Sequence, residues 1–176
     1  MPVQPMQEMQ RCSGRGSEMQ EIDTLIVRFA AAPGNLQATI AAIPEEALDR
    51  SPGAGEWTVR QIVCHLADAE LVGAVRLRMV LGQDEPTLPL YAQEGWAERM
   101  HYAAADPAAL AQALHQFWTL REGTTRLLRR AAPEAWEAVG MHPLRGRMSL
   151  KDLVLLYAGH AEDHIDQIHR ATAVAG

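Results

Sequence analysis

The sequence predicts an all-α fold: four helices packed as a bundle and joined by long connecting loops. Three observations predict it. Apolar residues recur at helical spacing in four long segments, helix-capping signals sit at segment ends, and no stretch shows a convincing strand ladder. With 176 residues, one such domain can bury a core without disulfides.

Residues 1–19, rich in Gln, Met, Gly and Ser without periodicity, read as a flexible tail. The bundle then spans 20–171, and 172–176 close the chain as a second tail. Helix one is expected over 20–43, where Ile22, Leu25, Ile26, Phe29, Leu36, Ile40 and Ile43 keep helical spacing. Pro33-Gly34 predicts a kink or break within it. A short helical turn over 44–48 and a loop over 51–56 follow. Helix two is expected from Thr58, the N-cap of a capping box completed by Gln61, to Gly82. A proline-containing connection leads to a short helix near 93–100. Helix three opens at Asp106-Pro107 and runs to about Arg130, with Leu110, Leu114, Phe117, Leu120 and Leu127 facing inward. The connection 131–148 has room for a short extended pair around 139–142 and 146–148. Helix four opens at Ser149 and runs to about Ala171.

Composition excludes some functions. A net charge of −6 opposes binding to phosphate backbones, so no nucleic acid partner is expected. No apolar run approaches the roughly 20 residues that span a bilayer, and the N-terminus lacks the apolar core of a secretory signal, so a cytoplasmic protein is expected. Two unpatterned cysteines, Cys12 and Cys64, make neither a disulfide framework nor a zinc ribbon.

Three of the seven histidines lie in apolar helical context. His160 and His164 are four residues apart and share a helix face, so both imidazoles can reach one ion. That pair alone would equally suit a wetted polar face. His65 adds weight: it sits among Ile62, Val63 and Leu66, where an imidazole is costly unless both ring nitrogens find partners. A metal would satisfy one nitrogen and a neighbouring acceptor the other. Gln61 and Asp68 project within about 60° of His65 on the helical wheel, while Tyr157 and Gln167 border the His160/His164 face. These four are candidates for orienting the ligands and walling the pocket. His101, His115, His142 and His169 read as surface or loop residues, Arg76 and Arg78 as surface or interface residues, and Trp57 as a packing anchor.

Residues 56–70, EWTVRQIVCHLADAE, and 157–170, YAGHAEDHIDQIHR, resemble the histidine signatures of the DinB superfamily. PTLPLYAQEGWAE (86–98) and HPLRGRMSLKDLVLLYAGH (142–160) resemble its YfiT-like branch, which includes bacillithiol transferases and proteins described as metal-dependent hydrolases. The resemblance covers about residues 20–171. It implies a four-helix bundle with one divalent ion, nickel or zinc, held by His65, His160 and His164, and a homodimer. Some relatives carry a histidine where this chain has Cys64 or Asp163, neither of which the triad needs. The reaction it implies is transfer of a small thiol of the bacillithiol type to an electrophilic small molecule. Asp68 or Gln167 would then orient a ligand or handle a proton. Metal-dependent hydrolysis of an amide or ester, and a stress-related metal-binding bundle without turnover, stay open beside it.

Overall fold

The computed structural model describes residues 5–173. In chain order it contains α1 (Pro5–Ala41), α2 (Val59–Gly82), α3 (Gln93–Arg99), α4 (Pro107–Leu128), β1 (Val139–His142), β2 (Gly146–Ser149) and α5 (Leu150–Ala173). The four long helices make the bundle. α1 packs on α4 and α5, and α2 packs on the same two, so the order around the bundle is α1, α4, α2, α5. The steps from α1 to α2 and from α4 to α5 are therefore diagonal.

The segment expected as a tail is helical from Pro5 onward, and residues 1–4 lie outside the described residues. Proline is tolerated in a first helical turn, no second proline intervenes before Pro33, and Gln, Met, Glu and Arg favour helix. Residues 16–21 are exposed, and Ile22 is the first buried side chain among those described. At the other end, α5 takes in residues 172–173 of the expected second tail, and 174–176 lie outside the described residues.

α1 also runs unbroken through Pro33, where a kink or break was expected. Proline has no N–H, so the Phe29 carbonyl four residues back loses its helical partner. Arg121 of α4 supplies one: its Nη1 donates to Phe29 O at 3.1 Å. The same guanidinium donates through Nε and Nη2 to both carboxylate oxygens of Glu70, at 2.8 and 2.6 Å, and through Nη2 to Tyr157 O at 3.2 Å. It lies over the Phe29 ring at 3.9 Å from the centroid, with the Phe117 ring on another side at 5.1 Å. Arg121 and Glu70 are 1% and 2% exposed, so this polar layer crosses the bundle interior and ties all four helices together. It separates two apolar clusters, one around Leu77, Leu128, Trp136 and Leu153, the other around Leu36, Ile62, Leu66 and Ile165.

Arg121 also shifts the inner stripe of α4. Ala113, Phe117, Arg121, Thr124, Thr125 and Leu128 face inward, whereas Leu127, expected inside, is 40% exposed. α2 opens as expected. Thr58 accepts from Gln61 N, and Gln61 Oε1 accepts from Thr58 N at 2.8 Å. Asp106 caps α4 in the same way by accepting from Ala109 N.

The extended pair exists as an antiparallel hairpin, β1 on β2. The connection after α2 docks on its other side: Leu88 N donates to Met141 O and Met141 N to Pro86 O. Gly140 makes this close approach possible, since a Cβ there would meet Leu88 and Val80 atoms at 2.9 Å. The docked connection brings Pro89 against Arg76 and Tyr91 against His65, both on α2. This hairpin therefore sets one wall of the site.

Candidate metal centre

His65 from α2 and His160 and His164 from α5 converge where these helices pack together. One ring nitrogen from each lies within 4.8 Å of the other two. The Nε2 atoms of His65 and His160 face each other at 3.1 Å, and the three ring centroids are 4.5 to 5.1 Å apart. Nitrogens on a tetrahedral ion at about 2.1 Å stand about 3.4 Å apart, a spacing that small side-chain rotations reach from here.

The chemistry of the donors fits an ion. Burial, followed by the neighbouring histidines, lowers His65 to about 3. Burial, His164 and Arg121 lower His160 to about 4, and burial lowers His164. All three are thus neutral imidazoles at neutral pH, the form that ligates. Outer nitrogens are also held. His164 Nδ1 donates to Gln167 Oε1 at 2.7 Å, and His65 Nδ1 lies 3.0 Å from the Tyr91 hydroxyl. The Gln167 oxygen can only accept, so His164 keeps its lone pair on Nε2, and a His65 Nδ1–H donated to the Tyr91 hydroxyl leaves His65 Nε2 free in the same way.

Asp68, expected near His65, reaches it only indirectly. Tyr102 donates its hydroxyl to Asp68 Oδ2 at 2.6 Å, and the Tyr91 and Tyr102 hydroxyls are 3.5 Å apart. Burial pushes Tyr91 up to about 12, and burial with the Asp68 bond raises Tyr102 as well, so both are protonated donors at neutral pH. The directions then agree along one chain: His65 N–H to Tyr91, Tyr91 to Tyr102, Tyr102 to Asp68. This is a carboxylate–histidine arrangement with two phenols inserted. Converting Tyr102→Phe keeps the ring against Trp57 but cuts the chain. We expect it to weaken metal affinity by about tenfold or more, measured by competition with a chromophoric chelator. Affinity equal to wild type would show that Asp68 does not act on His65.

The remaining expectations divide. Gln61 serves the helix cap rather than the histidines. Tyr157 walls the adjoining cavity, as does Arg76, which is buried at 6% exposure and not a surface residue. Arg78 is exposed and donates to Thr124. Trp57 packs beside His65, with ring centroids 5.2 Å apart. His101, His115 and His169 are exposed. His142 departs from its loop reading: it is 7% exposed, and its Nδ1 accepts from the Leu144 and Arg145 N–H groups. Both His142 and Tyr91 sit on connections, where no helical period reports burial. The one available signal was their place in the two motifs outside the histidine helices.

The sequence profile of the DinB superfamily matches residues 28–168. A chain from Oceanobacillus iheyensis, named "Putative metal-dependent hydrolase", is 32% identical over 138 residues, covering 77% of each chain. YfiT of Bacillus subtilis, named in the same way, is 30% identical over 150 residues, covering 83% of this chain and 81% of its own. The solved structure of YfiT, described as "a probable metal-dependent hydrolase with an unusual four-helix bundle topology", superposes with a TM-score of 0.80 at 26% identity, covering 88% and 87%. The diagonal helix order seen here accompanies that likeness, and His65, His160 and His164 all fall inside the span that the family profile matches. The chain belongs to the DinB superfamily.

Proposed function

We propose that the chain is a metal-dependent transferase that passes a small thiol to an electrophilic small molecule, using nickel or zinc held by His65, His160 and His164. The observation that carries this reading is the absence of a carboxylate from the wall of the cavity beside the histidines among the described residues. A cavity of about 410 Å³ opens beside His160, and no Asp or Glu lines it. Asp68, the carboxylate linked to His65, is occupied by Tyr102 and separated from His65 by two phenols.

An ion held by three neutral imidazoles keeps its full charge and favours the thiolate form of a sulfur ligand. Such a thiol needs no protein base, because its proton passes to water. In such a transfer the sulfur would bond to the electrophilic carbon and the leaving group would depart with its electron pair. The chain's residues hold the ligands in place through Gln167, Tyr91 and the Asp68 chain, and Trp57, Tyr91 and Trp96 shield one side from water. The names of the relatives support metal dependence and favour, as second reading, hydrolysis of an ester or amide. Amide cleavage calls for a proton donor to the leaving amine, and the cavity walls offer none of the carboxylic type.

Nickel- or zinc-loaded protein offered bacillithiol, mycothiol or glutathione with a chromogenic electrophile tests the proposal. Conjugation that disappears on chelation is expected. No metal-dependent conjugation with any of these thiols, or ester and amide hydrolysis in its place, would overturn it.

A further inference from the structure

Arg76 is a buried cation without a counter-ion. It is 6% exposed, yet none of the ion pairs among the described residues involves it. Its Nε and Nη2 donate to the Pro89 carbonyl, at 3.0 and 2.6 Å, and its Nη1 to the Tyr157 hydroxyl at 2.9 Å. These neutral acceptors take three of the five guanidinium N–H groups and leave its charge unmatched. Glu70, the buried carboxylate on the same helix, is committed to Arg121 through both oxygens. Burying an arginine this way is costly unless an anion completes the site.

The surroundings are built for that anion. Arg76 lines the cavity that reaches His160, and His142 and Arg145 line it too. Because His142 Nδ1 accepts two backbone N–H groups, its proton sits on Nε2, which makes it a neutral donor. Arg145 is exposed, and it too has no ion pair among the described residues. Two arginines and an imidazole N–H thus border a pocket in a chain whose net charge is −6. Leu90 and Leu144, 55% and 81% exposed, flank the same cavity with apolar surface.

We propose that this cavity is a carboxylate-binding subsite, in which Arg76, assisted by His142 and Arg145, holds an acid group of a small substrate whose reacting end lies toward His160. It rests on the three-histidine site being the reaction centre. The preferred substrate is then a carboxylate-bearing thiol or a carboxylate-bearing electrophile.

Calorimetry on the metal-loaded, full-length protein tests it, with succinate and succinamide as probes. Succinate is expected to bind at least tenfold more tightly than succinamide. Arg76→Gln should weaken succinate about tenfold, and Arg145→Glu, at an exposed position, severalfold. If Arg76→Gln does not fold, Arg145→Glu decides. Succinate binding that matches succinamide, or that neither substitution changes, overturns the subsite, because an anion on the ion itself would ignore both arginines. Mercaptosuccinate against 2-mercaptoethanol, and iodoacetate against iodoacetamide, then show which reactant carries the acid; preference for the acid in either pair, lost in Arg145→Glu, supports the subsite. Conjugation failing while succinate still binds through the arginines would remove the transferase reading and leave the subsite standing.

Discussion

Glu70→Ala is expected to destabilise the fold by about 3–5 kcal/mol, the cost of removing one partner from a buried ion pair. Arg121 would keep only the Phe29 and Tyr157 carbonyls, and its charge would stay buried at 1% exposure. Burial pushes the Glu70 carboxyl upward and the guanidinium opposes it, so the pair persists only while both members are present. Replacing both by apolar residues, Glu70→Leu with Arg121→Met, should recover part of the loss. It should not recover all of it, because the Phe29 carbonyl would then face no donor. Adding Pro33→Ala restores a helical N–H to that carbonyl and is expected to raise stability further. Equilibrium denaturation of the series measures each step. A loss below about 1 kcal/mol for Glu70→Ala would fit a solvated pair instead.

His160→Ala has the second large effect, on metal binding rather than on the fold. Losing an outer hydrogen-bond partner of a ligand typically costs about 10–100-fold in affinity. Losing the ligand itself should exceed about 100-fold, with conjugation lost in parallel. His160 is only partly buried, so the apo variant is expected to melt near the apo wild type. The stabilisation that metal gives the wild type, about 2.7 kcal/mol at 100 times the dissociation constant, should vanish. Thermal melts with and without metal check both. Unchanged metal-linked stabilisation in the variant would remove His160 from the site.

Much of the frame was legible because it is local. The Thr58/Gln61 box, the Asp106-Pro107 start and the helical spacing of His160 and His164 are each set within a few residues, and the structure holds all of them. The same spacing places His65 among Ile62, Val63 and Leu66, all buried. What escaped was set by distant partners. Nothing near Arg121 in sequence says that Glu70 and the carbonyl freed by Pro33 wait across the bundle, so an apolar stripe through Leu127 looked equally good. Arg76 reads as a surface residue until the connection after α2 docks on the hairpin and brings Pro89 over it. Tyr91 and His142 depend on that same docking. Gln61 shows the reverse error: it points toward His65 on the wheel, but the helix end uses its side chain first.

The central claim is that one ion binds to three imidazoles. X-ray absorption at the metal edge of nickel- or zinc-loaded protein tests it most directly. The structure predicts one equivalent per chain, three imidazole nitrogens at about 2.0–2.1 Å and no sulfur in the resting shell. A sulfur scatterer at about 2.3 Å, which would draw in Cys64, would contradict it. So would a spectrum that stays the same in His65→Ala.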